Sequence, residues 1–323
     1  METKINKEEL LLHVGSSPHV RTENSTQQIM LTVIIALIPA LIAGFAIFGP
    51  NALIVTLVSV VSCVLAELVI QKALKKPVRI SDLSAVVTGI LLAFNVPATM
   101  PLWMVALAGI FAIVIVKELF GGIGNNFVNP ALAARAMLLA SWSQNMGTLP
   151  QPFKPDAIAG PTPLSGGEPI ELMDMLLGKM PGMLGEVSAL ALLIGAVILL
   201  WRGIIKLRIP AAMIGSFAVF YVIFASLTGA EGASFAQSFQ NLPAQILSGG
   251  LILGAFFMAT DYSSSPMTAK GQLIYGLGAG FITALIRCFG TYPEGVSYAI
   301  LIMNVCTPLI DKYVKRQPFG GVQ

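Results

Sequence analysis

The residues of this 323-residue chain whose types and spacing suit chemistry fall into three groups. The first is the run Gly121-Gly122-Ile123-Gly124-Asn125-Asn126-Phe127-Val128-Asn129-Pro130. Its glycines free the backbone, and the side-chain amides of Asn125, Asn126 and Asn129 both donate and accept. Such a loop can approach a planar heterocycle closely and match its carbonyls and ring nitrogens. The same composition also makes an ordinary turn, with asparagine and glycine chosen for left-handed conformations. The second group is a set of ionisable residues placed inside apolar runs: Glu67, Lys117, Glu118, Arg135 and Arg287. In hydrocarbon such residues are costly and are candidates for function on that ground. Glu67, Lys117 and Glu118 lie near the ends of their runs, where snorkelling or local pairing accounts for them. Arg135 and Arg287 lie deeper, and each needs a carboxylate, a helix C-terminus or a bound cofactor as partner. The third group is Asp156-Ala157-Ile158-Ala159-Gly160-Pro161-Thr162-Pro163-Leu164. Thr162, between two prolines, is excluded from a regular helix, which leaves its hydroxyl open to a modifying enzyme. From the residues alone this is a proline-rich turn.

Several chemistries are excluded. Cys63, Cys288 and Cys306 all fall in apolar runs and form no CxxC pair, so the chain cannot ligate an iron–sulfur cluster by itself. His13 and His19 have no cysteine or third histidine nearby, and no metal site is expected. No residue has the setting of an acid–base or nucleophilic catalyst, so no catalytic residue is assigned. The basic residues sit in short clusters without interleaved aromatics, which argues against a nucleic-acid partner.

The elements that must position these groups are membrane helices. Hydrophobic residues make up 55% of the chain and charged ones 11%, against roughly 25% charged in a soluble domain. Ten apolar stretches recur: Ile29–Phe48, Asn51–Ile70, Asp82–Asn95, Leu102–Phe120, Val128–Trp142, Leu184–Trp201, Ile209–Thr228, Ile246–Thr260, Gln272–Phe289 and Gly295–Tyr313. A hydrocarbon core of ~30 Å needs about 20 residues of helix. Met1 to Gln28 is polar and too long for the start of a cleavable signal. The clusters Lys4/Lys7/Arg21, Lys72/Lys75/Lys76/Arg79, Arg202/Lys206/Arg208 and Lys312/Lys315/Arg316 fall on one side if all ten stretches span. The positive-inside rule makes that side cytoplasmic and both termini with it. The expected organisation is an arm over residues 1–28, a first five-helix repeat over 29–142, an external loop over 143–183, a second repeat over 184–313 and a tail over 314–323.

The repeat rests on two short segments. Asp82–Asn95 and Ile246–Thr260 hold 14 and 15 residues, about 21–22 Å at ~1.5 Å per residue. Each precedes a proline-bearing stretch and then an apolar span ending Phe-Gly, at Phe120-Gly121 and Phe289-Gly290, an offset of 169 residues. Five spans per repeat would invert the second copy, and matched short segments in inverted halves point to a midplane site. The expected fold is therefore an all-α integral membrane protein of about ten transmembrane helices, arranged as two inverted five-helix repeats with half-length helices. A passive channel or secondary transporter for a small solute would share that fold.

At this point the residues resemble the RnfD/NqrB family of membrane redox subunits, nearly end to end. Ser16-Ser17-Pro18-His19 with Ser25-Thr26, the run from Lys117 to Ala131, and the blocks Phe257-Met258-Ala259-Thr260-Asp261, Lys270-Gly271, Ile286-Arg287, Tyr292-Pro293-Glu294-Gly295 and Met303-Asn304 carry the resemblance. The short N-terminal arm is similar to the RnfD branch. The resemblance implies a flavin-carrying subunit of a ferredoxin:NAD+ oxidoreductase (Rnf) complex in the cell membrane of a bacterium or archaeon, driving Na+ or H+ outward. It implies FMN joined through its phosphate to Thr162 by a flavin transferase. Asp156, Gly160 and Thr162 match that enzyme's recognition pattern, with Ala159 and Pro161 departing from it. It further implies a second, non-covalent flavin such as riboflavin, with Asn125, Asn126 and Asn129 as contacts. Implied partners are iron–sulfur and flavin subunits of the complex and membrane lipid. Glu118, Arg135, Asp261 and Arg287 are candidates for coupling electrons to the ion.

Overall fold

The computed structural model describes residues 25–158, 164, 170–228, 235–290 and 294–314, with the backbone alone over 154–158. Helix α1 (Thr26–Phe48) begins where Ser25 and Gln28 cap each other: the Ser25 hydroxyl accepts from the Gln28 N–H at 3.2 Å, and the Gln28 side chain accepts from the Ser25 N–H at 3.0 Å. That exchange satisfies two donors a helix start otherwise leaves bare. The helix stops at Gly49, whose φ is 72°, and Pro50 opens α2 (Pro50–Ala73) without a linker. A positive φ needs glycine, and a first helical position suits proline, so the corner is set by two residues.

Both helices leave one stripe of large apolar side chains uncovered. On α2, Leu53, Leu57, Val61, Leu65 and Val69 stand four apart and are each at least 45% exposed. Contiguous apolar surface of that extent is disfavoured in water and is what lipid or a neighbouring membrane protein covers.

Helix α3 (Ser84–Phe94) is short and buried over all its residues but Val86. It lies so close to α2 that a side chain on Gly89 would meet the Val60 backbone at 2.6 Å, and the Ser59 hydroxyl donates to the Gly89 carbonyl at 2.7 Å. Its terminal carbonyls are met by a later turn: the N–H groups of Leu184 and Gly185 donate to Val96 and Phe94 at 3.2 and 3.0 Å. Helix α4 (Leu102–Phe111) then widens into a π-helical stretch, Ala112–Glu118, before the glycine–asparagine run and α5 (Pro130–Ser141).

The remaining elements are α6 (Ser143–Gly147), the antiparallel pair β1 (Pro150–Gln151) and β2 (Lys154–Ile158), α7 (Leu172–Leu177), α8 (Ala189–Trp201), α9 (Arg208–Thr228), α10 (Phe235–Leu247), α11 (Leu251–Leu253) running on as π-helical Gly254–Met258, α12 (Ala269–Phe289) and α13 (Val296–Tyr313). The core lies where α3 and α11 are enclosed by the longer helices, with Leu92, Phe94, Leu251, Leu253 and Met258 all at most 1% exposed.

Within the loop expected over 143–183, β1 and β2 form a small hairpin after α6, and the rest of the described fold is helical. One expectation is corrected here. The stretch expected as one segment from Ile246 to Thr260 is broken: α10 and α11 meet at 65°, where Gly249 and Gly250 both take positive φ. The α10 helix itself was not anticipated, although Phe235, Phe239, Leu242 and Ile246 recur at helical spacing. Each of the ten stretches does contain helix. Among the described residues, however, four helices (α1, α2, α9 and α12) are by length and composition able to cross a membrane alone, with the bent α10–α11 pair as a fifth candidate.

Helices α9 and α12 pack closely through glycine. Gly276 and Gly280 of α12 face α9, where a side chain at Gly276 would meet the Ile209 carbonyl at 2.8 Å and one at Gly280 the Phe217 nitrogen at 2.8 Å. The Ser216 hydroxyl donates across to the Leu277 carbonyl at 2.7 Å. Small residues four apart are how helices pack where no hydrophobic force acts between them. Gly280→Leu is expected to destabilise the protein by about 1–3 kcal/mol through overpacking, read as a lowered midpoint in thermal unfolding in detergent, whereas Gly215→Ala, mid-helix with open space for the methyl, should hold or raise it.

Candidate functional site

Two side-chain clusters and a cavity occupy the region where the half-length helices end. The cavity has a volume of about 300 Å3. Its walls come from the start of α1, from α3, from the π-helical ends of α4 and α11, from the start of α5 and from the loop after Met258. Met30, Val33, Leu91, Phe256 and Phe257 make it apolar, and Ser84, Thr88, Lys117, Asn126, Asn129 and Asp261 supply polar groups.

Asn129 builds the junction on which this cavity rests. It caps α5: its side-chain oxygen accepts from the N–H groups of Ala131 and Leu132 at 3.0 and 3.3 Å, with Pro130 at the first helical position. Its amide nitrogen donates to the Met258 carbonyl at 3.4 Å, so the end of one short helix is tied to the start of another. Asn304 of α13, with its amide oxygen accepting from the Asn129 backbone N–H at 3.0 Å, donates to the Ser264 carbonyl and the Tyr275 hydroxyl at 3.3 and 2.6 Å. Asn126 donates to the Val128 carbonyl at 3.2 Å and to the Asp261 carboxylate at 3.5 Å.

Asp261 lies in the loop beyond the buried segment and accepts from Ser263 and Ser264 as well. Burial pushes its carboxyl above the ordinary range, and the hydrogen bonds from Ser263, Ser264 and Asn126 oppose that rise.

Asn125 goes elsewhere. It is exposed and lines a second cavity of about 200 Å3 with Glu67, Gln71, Arg79, Asp82 and Glu118. Between the two cavities runs a buried wall: Lys117 Nζ contacts Glu67 at 2.5 Å and the Ser84 hydroxyl at 2.6 Å, and that hydroxyl donates to Asp82 at 2.6 Å. Glu118 accepts from Gln71 at 3.0 Å and pairs with Lys76 at 3.6 Å.

The deep arginines find different partners. Arg135 pairs with Glu186 at 2.9 Å and with Glu294, and donates to the Asn95 side chain at 2.7 Å. Its partner class is thus carboxylate. Arg287 instead donates to backbone carbonyls at the end of α10 and the bend, Ser248 at 3.0 Å and Gly249 at 3.1 Å among them, and lies 4.9 Å over the Phe217 ring. A guanidinium against terminal helix carbonyls is favoured by the helix dipole.

Of the residues singled out by sequence, Asn126 and Asn129 share the larger cavity and Asn125 does not. Gly160 and Thr162 lie outside the described residues, and Asp156 is described by its backbone alone. Ser84 and Thr88 were missed, being small hydroxyls in an apolar run that only the fold turns toward one space. No group of three or more potential metal ligands occurs among the described residues.

Buried half-length helices, ion pairs sealed within an apolar body and a cavity between helix ends define a multi-pass membrane protein with an internal cavity. The chain belongs to the NQR2, RnfD, RnfE family, which it matches over residues 13–320. It is 49% identical over 320 residues to the D subunit of the Na(+)-translocating ferredoxin:NAD(+) oxidoreductase complex of Acetobacterium woodii, covering 97% of this chain and 96% of that one. It is 39% identical to the D subunit of the proton-translocating ferredoxin:NAD(+) oxidoreductase complex of Clostridium ljungdahlii, covering 99% and 98%. With the D subunit of the ion-translocating oxidoreductase complex of Yersinia enterocolitica the identity is 33%, over 96% and 98%.

Replacing Asn129 by Ala removes the α5 cap, at a cost of about 1–2 kcal/mol, whereas Asn125→Ala at its exposed position should cost little. Thermal unfolding of the two variants side by side checks this.

Proposed function

We propose that this chain is the flavin-carrying membrane subunit of a ferredoxin:NAD+ oxidoreductase complex of the Rnf type, which couples electron transfer to outward movement of Na+ or H+. The end-to-end likeness to the D subunits of such complexes, in proteins of nearly the same length, is the observation that carries it. Two five-helix halves, inverted in the membrane with both termini cytoplasmic, are the arrangement we assign. The two short buried segments, α3 and α11, and the pairing of Arg135 with the end of α3 and of Asn304 with Ser264 support that reading.

In this proposal FMN is joined through its phosphate to Thr162, and a second flavin such as riboflavin occupies the larger cavity. The cavity suits that guest on three counts. Its volume lies at the lower end of the range for ligand pockets, its walls are apolar enough to face a flat ring system, and its polar groups gather at Asn126, Lys117 and Asp261. When bound, a flavin supplies one- and two-electron chemistry. This chain's own part would be to offer Phe256, Phe257 and Leu91 as apolar wall to the ring, with Lys117, Asn126 and Asp261 as its polar and charged neighbours. Iron–sulfur and flavin subunits exchange electrons with it, a flavin transferase attaches the FMN, and lipid covers the exposed apolar stripes.

Denaturing gel electrophoresis of the chain co-expressed with a flavin transferase should show a fluorescent band that Thr162→Ala abolishes. A dark wild-type band beside a fluorescent control substrate would refute the covalent flavin.

A further inference from the structure

The Lys117–Glu67 pair sits in the wall between the two cavities, and each partner faces a different one. Lys117 lines the larger cavity and Glu67 the smaller. A second link repeats the arrangement, because Ser84 lines the larger cavity while its hydrogen-bond acceptor Asp82 lines the smaller. Lys117 Nζ touches both Glu67 and Ser84, so two links at 2.5–2.6 Å cross the wall and join at Nζ, with Glu67 and Asp82 toward the smaller cavity and Lys117 and Ser84 toward the larger.

A purely structural ion pair would use up its hydrogen-bonding capacity, since each unmet polar atom in a low-dielectric interior is costly. This pair does not. Lys117 is 3% and Glu67 1% exposed, yet Glu67 Oε2 is buried with no hydrogen-bond partner. The π-helical widening of α4 is what sets Lys117 in the wall, and such bulges recur at functional positions. The smaller cavity carries Lys76, Arg79 and the exposed Asn125 on its rim, so it opens toward water.

We infer that Lys117, Glu67, Ser84 and Asp82 form a proton relay that carries protons from the aqueous vestibule to a redox-active heterocycle in the larger cavity; the inference rests on a flavin being that occupant. Electrons arrive from an iron–sulfur or flavin donor of the complex. As they do, the Lys117 ammonium gives up one proton to a basic ring nitrogen: an N–H bond at Nζ breaks and one at the ring forms. Lys117 is left as a neutral amine beside the Glu67 carboxylate. Glu67 then takes a proton from a vestibule hydronium and passes it to Nζ, or Asp82 takes it and hands it to Ser84 as that hydroxyl gives its own proton to Nζ, and either route restores the ion pair. Re-oxidation returns the proton along the same strand. The groups facing this pair are Cys63 from α2, Asp82 from the turn before α3, Glu118 from α4, Lys76 and Arg79 from the rim and Asp261 across the cavity.

The test uses the full chain purified by itself and carrying Thr162→Ala, so that neither covalent FMN nor the flavins of other subunits contribute to the signal. Flavin content is measured first, then stopped-flow reduction by dithionite, following flavin absorbance together with proton uptake by an indicator dye. Glu67→Gln is expected to retain its flavin and to slow proton-coupled reduction by roughly 100-fold, the scale of lost acid–base catalysis, with azide as a diffusible acid restoring much of the rate. Asp82→Asn, in the turn before α3, is expected to slow it by a smaller factor and decides the matter if Glu67→Gln fails to assemble. Flavin retained with unchanged rate, pH profile and azide response would overturn the relay alone. Absence of flavin from the chain carrying Thr162→Ala would overturn the assigned occupant and the relay with it.

Discussion

A helix that ends inside a hydrocarbon layer has no water to satisfy its last carbonyls, and this constraint organises the molecule. Helices α3 and α11 are both too short to reach from one interface to the other, so their ends must be met by protein. For α3 the partners are the backbone N–H groups of Leu184 and Gly185, reached only because Gly185 has no side chain to collide with Phe94. For α11 the partner is the Asn129 amide, which caps α5 with its other end. Once these ends are tied, the start of α5, the loop after Met258 and the π-helical end of α4 are fixed around one space.

That space inherits its chemistry from the same constraint. Charged groups cannot remain unpaired so far from water, and each therefore carries its compensation with it. Lys117 brings Glu67, Arg135 gathers Glu186 and Glu294, and Arg287 collects terminal carbonyls at the bend between α10 and α11. Arg135 and Arg287 look alike in sequence and differ in what they do. One neutralises carboxylates from distant loops, whereas the other closes the end of a helix. Such fixed charges beside a cavity are a means by which a protein sets the electrostatics of a bound redox group.

The protein's setting in a larger assembly follows from its surface. A single chain leaves rows of leucine, isoleucine and valine uncovered along α1, α2 and α9, and no ligands for an iron–sulfur cluster are grouped among the described residues. Apolar surface of that extent calls for lipid or neighbouring membrane proteins to cover it, in keeping with relatives named as one subunit of a complex.

The sequence by itself determined the class and the family. Apolar stretches set by composition, the capping pair Ser25–Gln28, the Gly49-Pro50 corner and the shortness of α3 are all local, and local signals survive translation into structure. Tertiary structure decided the rest. Nothing near Arg135 in the chain announces Glu186, 51 residues on, and no motif links Ser84 with Lys117, 33 residues away. The division of the glycine–asparagine run, with Asn126 and Asn129 turned to one cavity and Asn125 to the other, depends on positive-φ backbone at Gly121, Gly122 and Gly124. Contacts of that kind cost chain entropy that only the assembled fold repays, so residue type and spacing cannot encode them.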